Sequence, residues 1–190
     1  AGGSSKAAAV LFGINRLFSL GLSKEALMKR GVKIGADVPY CILRGTALSE
    51  GIGEILTPVS AMPYCKILIA KPSISVSTRL VYENLQVEKL PFHPDIDGVI
   101  KAIAKQDIEG ISKRMGNVLE TVTISMYPVI EEIKDFMKSH GALNAIMSGS
   151  GPTVFGLYQD MEVVKSVADG LKASGLAKQV YIAEPVPVIK

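Results

Sequence analysis

The order of predicted strands and helices after residue 63 constrains the fold of this chain more than any other feature. Four apolar runs have the length and composition of buried strands: residues 66–70, 143–147, 153–158 and 179–184. Five helical patterns separate them: residues 78–84, 95–105, 107–118, 127–139 and 162–174. A strand, several helices, a pair of strands, a helix and a last strand form a split βαβ order. We therefore expect an α+β, ferredoxin-like domain over residues 63–190.

The first sixty residues predict a smaller unit of helices and a short hairpin. One helical pattern runs from Ser5 to Leu20, with Gly21 as its C-terminal cap, and a second covers residues 23–30. The first carries an apolar stripe that we expect to be buried: Val10, Leu11, Ile14, Leu17 and Phe18. Short strands at 46–50 and 54–59 flank a Gly-Ile-Gly turn, which predicts helices covering a small sheet. We place the domain border near residue 62, giving domains 1–62 and 63–190.

Composition excludes several classes of function. The net charge is +3, with no basic run interleaved with aromatic residues, so nucleic acid is not an expected partner. Cys41 and Cys65 lie in apolar surroundings, as buried reduced thiols do, and His93 and His140 are isolated. No apolar run is long enough to cross a membrane, and no signal peptide is recognisable. We expect a soluble protein with no membrane partner.

The chain opens with Ala1, Gly2, Gly3, Ser4 and Ser5, directly before an alanine-rich helical pattern. We expect a glycine-serine loop in which Ser4 or Ser5 caps the helix. The first N–H groups of a helix lack intrahelical acceptors, and the positive end of its dipole lies behind them, so such a junction can bind phosphate. A plain helix cap is the alternative interpretation.

Asp37 lies in the apolar segment 32–43, and we expect it to be buried. A buried carboxylate must be paired or hydrogen-bonded, or its pKa rises, so Asp37 has a specific role. It is either a general base, or an orienting anion for a substrate hydroxyl, or else a structural helix cap.

Two further segments can contribute to a site. Residues 148–151 read Ser-Gly-Ser-Gly, where backbone N–H groups can converge on an anion, although tight structural turns use the same residues. Thr78 follows an ordinary N-cap signal, and Tyr82 lies one helical turn further on, either in the core or available to stack on a ring.

Four motifs, in this order, resemble those of the galactokinase, homoserine, mevalonate and phosphomevalonate (GHMP) kinase family. They are Gly-Gly-Ser-Ser at 2–5, Gly-Ala-Asp-Val-Pro at 35–39, Glu-Gly-Ile-Gly-Glu at 50–54 and Ser-Gly-Ser-Gly at 148–151. The second and third motifs are most similar to the branch that phosphorylates a cytidine diphosphate-linked methylerythritol in the non-mevalonate isoprenoid pathway. The resemblance implies a two-domain fold, with part of a ribosomal-protein-S5-like N-terminal domain followed by a ferredoxin-like C-terminal domain.

The same resemblance implies ATP-dependent phosphorylation of an alcohol, with ATP and Mg²⁺ as cofactors. Asp37 is then the catalytic residue, and residues 1–5 contact the ATP phosphates, with Ser4 or Ser5 near the Mg²⁺. The residues implied on the substrate side are Thr78, Tyr82, Ser150 and Gly151, with the aromatic ring stacking on the cytosine. The implied location is the cytoplasm of a bacterium or the plastid stroma.

Two departures from the family pattern qualify this interpretation. Lys6 stands where relatives usually have Asp or Asn. Family members also begin well before this point, with strands that supply a catalytic lysine, so we expect the chain by itself to have little or no kinase activity. The alternatives are another GHMP kinase, acting on homoserine or mevalonate, and a non-catalytic ligand-binding domain.

Overall fold

The computed structural model describes residues 2–186, which form two compact units. Unit 1 comprises residues 2–61 together with residue 186, and unit 2 is Met62–Pro185. Across the described residues, no helix is both long enough and apolar enough to span a membrane.

The described residues of unit 1 form three helices and one β-hairpin: α1 (Gly2–Leu17), α2 (Lys24–Gly31), α3 (Val38–Leu43), β1 (Ala47–Glu50) and β2 (Ile55–Pro58). Its buried cluster is small and consists of helical residues with one neighbouring loop side chain: Ala8, Leu27, Val38 and Ile42 are buried, and Ala7, Leu11, Phe12, Leu22, Met28 and Cys41 pack against them. The strands contribute nothing to this cluster. The expectation that the helices cover a small sheet is therefore wrong for the described part of unit 1.

Helix α1 differs from its predicted form at both ends and in the face that it buries. It begins at Gly2 and ends at Leu17, so Gly21, although its φ is +63°, does not cap it. Most of the predicted stripe is exposed: Val10, Ile14, Leu17 and Phe18 have exposed fractions of 58%, 44%, 77% and 65%. The side of α1 that packs into the buried cluster with α3 instead carries Ala7, Ala8, Leu11 and Phe12. The spacing of apolar residues predicts an apolar face of a helix, but it does not predict which other element packs against that face.

Helices α2 and α3 pack closely because glycine stands at the end of α2. The Ser23 side chain caps α2 by accepting from the Ala26 N–H at 3.2 Å, as the sequence predicts. A Cβ on Gly31 would lie 2.9 Å from Val38 Cγ1 and 3.1 Å from Ile42 Cδ1. Helix α3 itself was not predicted from the sequence.

Unit 2 is built on a four-stranded antiparallel sheet: β3 (Lys66–Lys71), β4 (Asn144–Met147), β5 (Val154–Tyr158) and β6 (Gln179–Ala183). The strand order is β4-β5-β3-β6, with Leu68 opposite Gly156 in β5 and opposite Ile182 in β6. The sequentially adjacent β4 and β5 pair directly, and both are joined to the outer β6 through the first strand, β3. This is the predicted ferredoxin-like order.

Six α-helices and one short 3₁₀ helix (Val87–Lys89) complete unit 2: α4 (Thr78–Asn84), α5 (Ile96–Ala104), α6 (Ile108–Arg114), α7 (Glu120–Met126), α8 (Val129–Ser139) and α9 (Met161–Ala173). Helix α4 has its predicted bounds. Helix α6 is shorter than predicted, and α7 and the 3₁₀ helix were not predicted.

The sheet of unit 2 has buried residues on both faces, because successive side chains of a strand point to opposite sides. Leu68 and Ala70 join one cluster with residues of α8 and α9, among them Ile133 and Leu171. On the other face, Ile67 and Leu157 join a second cluster with Ala102, Ile103 and Ile111 of α5 and α6. The core of unit 2 is thus a sheet between two helical layers.

Candidate functional site

The predicted phosphate-binding residues of unit 1 lie within a helix. Gly2, Gly3, Ser4 and Ser5 form the first turn of α1, so the expected loop is not present, and Ala1 lies outside the described residues. Neither serine caps the helix from outside it, and the Ser5 hydroxyl donates to the Gly2 carbonyl oxygen at 3.2 Å. The first N–H groups of a helix have no intrahelical acceptors, so Gly2, Gly3 and Ser4 present backbone donors at the positive end of this 16-residue helix.

Asp37 is exposed, and the expectation of a buried carboxylate is wrong. It occupies the N-cap position of α3 with φ −83° and ψ −9°, but its side chain makes no capping hydrogen bond. The next two residues, Val38 and Pro39, are buried, and these side chains anchor the helix while Asp37 faces solvent. In the part of the chain that the structure describes, Asp37 forms no ion pair. Its carboxylate is therefore available to a ligand.

In unit 2, residues 148–151 form a tight loop between β4 and β5. The Ser148 N–H donates to the Thr153 carbonyl oxygen at 2.8 Å, and the Gly151 N–H donates to the Ser148 carbonyl oxygen at 3.0 Å. Gly149 has φ +57° and Gly151 has φ +90°, which favour glycine. The N–H groups of Gly149 and Ser150 donate to no acceptor among residues 2–186. The loop thus has two adjacent free backbone donors.

The two glycines of this loop have different surroundings. A Cβ on Gly151 would lie 2.6 Å from Met147 Sδ, so this glycine is required by a close approach as well as by its φ. A Cβ on Gly149 would have no heavy atom within 4 Å. The Gly149 side of the loop is therefore open and has room for a ligand.

Helix α4 carries two of the predicted substrate-side residues, and one of them, Thr78, contacts the loop. Ser77 caps the helix by accepting from the Leu80 N–H at 3.3 Å, and Thr78 Oγ1 lies 2.8 Å from Ser150 Oγ. Tyr82 is one turn further along and 60% exposed, so its ring is outside the core. Within unit 2, Thr78, Ser150 and Gly151 are neighbours, and Tyr82 extends the same surface of α4.

Sequence reasoning missed a set of partly buried polar contacts under this loop. Asn117 Nδ2 donates to the carbonyl oxygens of Met147 and Gly149, both at 2.8 Å. Glu120 Oε1 accepts from the Met147 N–H at 2.6 Å, and Thr123 Oγ1 lies 3.3 Å from the Ser150 carbonyl oxygen. The available signal was two polar residues, at 117 and 120, enclosing the apolar pair Val-Leu. The sequence analysis placed Asn117 at the end of a helix over 107–118, which in fact ends at Arg114, and it assigned Glu120 to no element.

Lys134 of α8 pairs with the second oxygen of Glu120. Its Nζ lies 2.8 Å from Glu120 Oε2 and 2.8 Å from Glu131 Oε2. Burial lowers the pKa of Lys134, but hydrogen bonds to Glu120 and Glu131 outweigh it, so the pKa is raised. The ammonium therefore stays charged, and each oxygen of Glu120 has a partner.

The two cysteines and the two histidines form no disulfide and no metal site among the described residues. Burial raises the pKa of the Cys65 thiol, and Cys41 is half-buried; neither forms a disulfide. His93 and His140 are exposed. Among residues 2–186 no three His, Cys, Asp or Glu side chains form a group able to hold a metal ion.

Two family models match the chain. The model for the GHMP kinases N terminal domain matches residues 1–45, and the model for the GHMP kinases C terminal domain matches residues 99–176. The chain belongs to the GHMP kinase family. The first match includes residues 2–5 and Asp37, and the second includes the loop 148–151 with Asn117 and Glu120.

Curated relatives extend this similarity over nearly the whole chain. The chain is 58% identical over 184 residues to a 4-diphosphocytidyl-2-C-methyl-D-erythritol kinase of Lachnospira eligens, which covers 97% of this chain and 64% of the relative. It is 56% identical to the protein of the same name from Lachnoclostridium phytofermentans, covering 96% of this chain and 62% of the relative. The chain thus spans less than two thirds of the length of these relatives.

Solved structures share the architecture. A crystal structure of 4-(cytidine 5'-diphospho)-2C-methyl-D-erythritol kinase superposes with a TM-score of 0.81 at 28% identity, covering 96% of this chain and 64% of that chain. A homoserine kinase from Cytophaga hutchinsonii gives a TM-score of 0.71 at 18% identity, covering 94% and 62%. The second likeness concerns the fold alone.

Proposed function

We propose that this chain contributes the site of an ATP-dependent kinase that phosphorylates the 2-hydroxyl of 4-diphosphocytidyl-2-C-methyl-D-erythritol. The observation that carries the proposal is the 58% identity, over 184 residues, to a relative named for that activity. The named bacterial relatives support a role in isoprenoid precursor synthesis in the bacterial cytoplasm. Homoserine and mevalonate kinases are disfavoured, because structures with those names are 16% to 22% identical to this chain.

Each proposed role rests on a feature of the described residues. Asp37 is the catalytic carboxylate that orients or deprotonates the substrate hydroxyl, and its exposure with no ion pair supports this role. The backbone donors in the first turn of α1 bind ATP phosphates. In unit 2, Ser150 and Gly151 shape the site, Thr78 faces the substrate, and the exposed Tyr82 ring stacks on the cytosine.

Mg²⁺ is the cofactor that would neutralise the transferring phosphoryl group. In nucleotide sites Mg²⁺ keeps several waters and is held by one or two protein oxygens together with phosphates, so one serine hydroxyl is a sufficient protein contribution. Ser4 and Ser5 lie in the first turn of α1 beside the proposed phosphate donors. Either hydroxyl could therefore serve as the protein ligand of Mg²⁺.

The test is a chimera in which this chain replaces the matching segment of the Lachnospira eligens relative. ADP release is measured by a coupled assay with the cytidine diphosphate substrate, ATP and Mg²⁺. We expect turnover, and we expect Asp37→Ala to reduce kcat about 100-fold or more, the range of acid–base contributions.

The matched control is Asp169→Ala, an exposed carboxylate on α9 that pairs only with Lys172 among the described residues. It should leave kcat within about twofold of the parent, as surface changes do. Turnover of homoserine or mevalonate without turnover of the cytidine diphosphate substrate would favour the alternative kinases. Undiminished turnover by Asp37→Ala would remove the proposed role of Asp37.

A further inference from the structure

We infer that Asn117 and Glu120 are positioning residues of the proposed kinase site, which hold the loop 148–151 in one shape from beneath. That the loop belongs to a kinase site rests on the proposed function. That Asn117 and Glu120 hold the loop rests on the contacts within unit 2. Neither residue is assigned a contact with substrate or nucleotide.

The loop needs external support because its own hydrogen bonds are few. Only the Ser148 and Gly151 N–H groups are bonded to acceptors within residues 148–153. Two of its four residues are glycines, which lose more conformational entropy on ordering than any other residue. A loop of this composition does not fix the direction of its free donors by itself.

Asn117 supplies two of the missing contacts through one amide group. Its Nδ2 donates to the carbonyl oxygens of Met147 and Gly149, and its Oδ1 accepts from the Leu119 N–H at 3.0 Å. Two acceptors on one side and a donor on the other specify which end of the amide is oxygen. The hydrogen bonds therefore fix the Asn117 amide with its nitrogen toward the loop and its oxygen toward the Leu119 N–H.

The hydrogen bond from Asn117 to the Gly149 carbonyl also fixes the direction of the Ser150 N–H, which lies on the opposite side of the same peptide. In a planar trans peptide the C=O and the next N–H point in opposite directions. Since the Gly149 oxygen points to Asn117, the Ser150 N–H points away from Asn117. This is one of the two loop donors without an acceptor among residues 2–186. Asn117 therefore aims a free donor of the proposed site.

Glu120 fixes the strand end from which the loop departs. One carboxylate oxygen accepts from the Met147 N–H, and the other is bonded to Lys134 of α8. Asn117 holds the carbonyl of the same Met147, so both polar groups of that residue are bound from α7 and the turn before it. The position of the loop is thereby tied to the packing of α7 and α8.

The first measurement is hydrogen exchange by NMR in the ¹⁵N-labelled 190-residue chain. Asn117→Asp keeps the shape of the side chain but replaces the two donors with an oxygen that faces two carbonyls. We expect the bonded amides of Met147, Ser148 and Gly151 to exchange about tenfold faster, with the amides of α9 and β6 unchanged. The matched control is Thr121→Ala in α7, the helix that follows Asn117; the Thr121 hydroxyl donates only to the Val118 carbonyl among the described residues.

A conservative pair of variants tests Glu120 in the same way. Glu120→Gln retains an oxygen for the Met147 N–H, whereas Glu120→Ala does not. We expect Gln to keep most of the protection of the Met147 amide and Ala to lose it. A general structural role would instead accelerate exchange throughout unit 2 in step with the loss of thermal stability, and that outcome would overturn the inference, as would unchanged loop exchange in Asn117→Asp.

A titration with cytidine 5'-diphosphate separates this inference from the proposed function. We expect the Ser150 amide resonance to shift in the parent and the apparent affinity to fall about tenfold in Asn117→Asp, because fewer molecules have the competent loop. Faster loop exchange in Asn117→Asp, with no binding to the parent, would support the positioning role and contradict the proposed substrate class.

Discussion

The two units differ in how much of their apolar surface they bury. In unit 2 the central strand β3 carries Leu68 and Ala70, both fully buried, and helices cover both faces of the sheet. Among the described residues of unit 1, four hydrophobic residues are buried, while Leu17 and Phe18 are 77% and 65% exposed. The same kind of amphipathic helix is thus a core element in one unit and a half-covered surface in the other. We therefore expect truncation of a core side chain to cost more in unit 2 than truncation of the exposed face of α1 in unit 1.

The largest difference should appear when one leucine of each unit is truncated. Leu171→Ala in α9 removes a fully buried side chain and should lower the free energy of unfolding by about 2 to 5 kcal/mol. Leu17→Ala in α1 removes an exposed one and should change it by less than about 0.5 kcal/mol. Urea unfolding at several protein concentrations measures both. An effect of Leu17→Ala that matches Leu171→Ala, or depends on concentration, would mean that this face of α1 is covered in solution.

The buried ion pair of unit 2 should have the next largest effect. Lys134→Met leaves Glu120 half-buried without its cation, and we expect a loss of about 1 to 3 kcal/mol, below the range for fully buried pairs. The control on the same helix is Lys138→Met, whose ion pairs are more exposed and which should cost about 0 to 1 kcal/mol. Equal costs for the two variants would show that burial of the pair contributes nothing.

The contribution of the Lys134–Glu120 pair to folding stability should depend on pH. The folded-state pKa of Lys134 is raised, so its contribution is complete below the pKa of an unfolded lysine, about 10.4. It is lost as the pH rises through the folded-state value. The parent should therefore lose stability above about pH 10, and Lys134→Met should lose less over that range.

The sequence also predicts the structure of unit 2 more accurately than that of unit 1. In unit 2 the apolar runs became β3 to β6, because each strand has partners and helices within the unit, and α4 has its predicted bounds. In unit 1 the stripe of α1 was expected to be buried, but its burial depends on a partner surface that periodicity does not contain. Asp37 was expected inside for a related reason: apolar neighbours in sequence bury their own side chains, and a residue at a helix end can face the other way.

The sequence predicted the loop of unit 2 but not the contacts beneath it. The Ser-Gly-Ser-Gly motif predicted a loop with backbone donors, and Thr78, whose role on the substrate side stays a prediction, contacts Ser150 of that loop. Asn117 and Glu120 were missed because their role comes from contacts across 27 to 32 residues of sequence. Such contacts follow from the packing of α7 under the loop, and α7 was itself not predicted.

The ends of unit 2 are joined by a partly buried polar contact that should have a smaller, pH-dependent effect. The Lys66 ammonium donates to Glu184 and to the Tyr64 hydroxyl, and this hydroxyl is 3.1 Å from Glu184 Oε1. The hydrogen bond from Lys66 lowers the pKa of Glu184, so its contribution is present above the pKa of an unfolded glutamate, about 4.3, and is lost as the pH falls through the lowered value.

Glu184→Gln should therefore flatten the acid side of the stability profile of unit 2, measured by thermal unfolding from pH 7 to pH 3. The matched control is Glu162→Gln, whose carboxylate is 81% exposed and pairs with Lys165 on the same helix. A profile for Glu184→Gln that parallels the parent at acid pH would show that the contact does not link the two ends of unit 2.

The smallest expected effects are those of the helix caps, and they should be equal in the two units. Ser23 accepts from the Ala26 N–H at 3.2 Å, and Ser77 accepts from the Leu80 N–H at 3.3 Å. Each replacement by Ala should cost about 0.5 to 1 kcal/mol in urea unfolding, because a cap satisfies one backbone donor regardless of the core behind it. If Ser77→Ala costs much more than Ser23→Ala, the cap of α4 must also hold Thr78 against Ser150. Equal costs would leave core burial as the property that separates the two units.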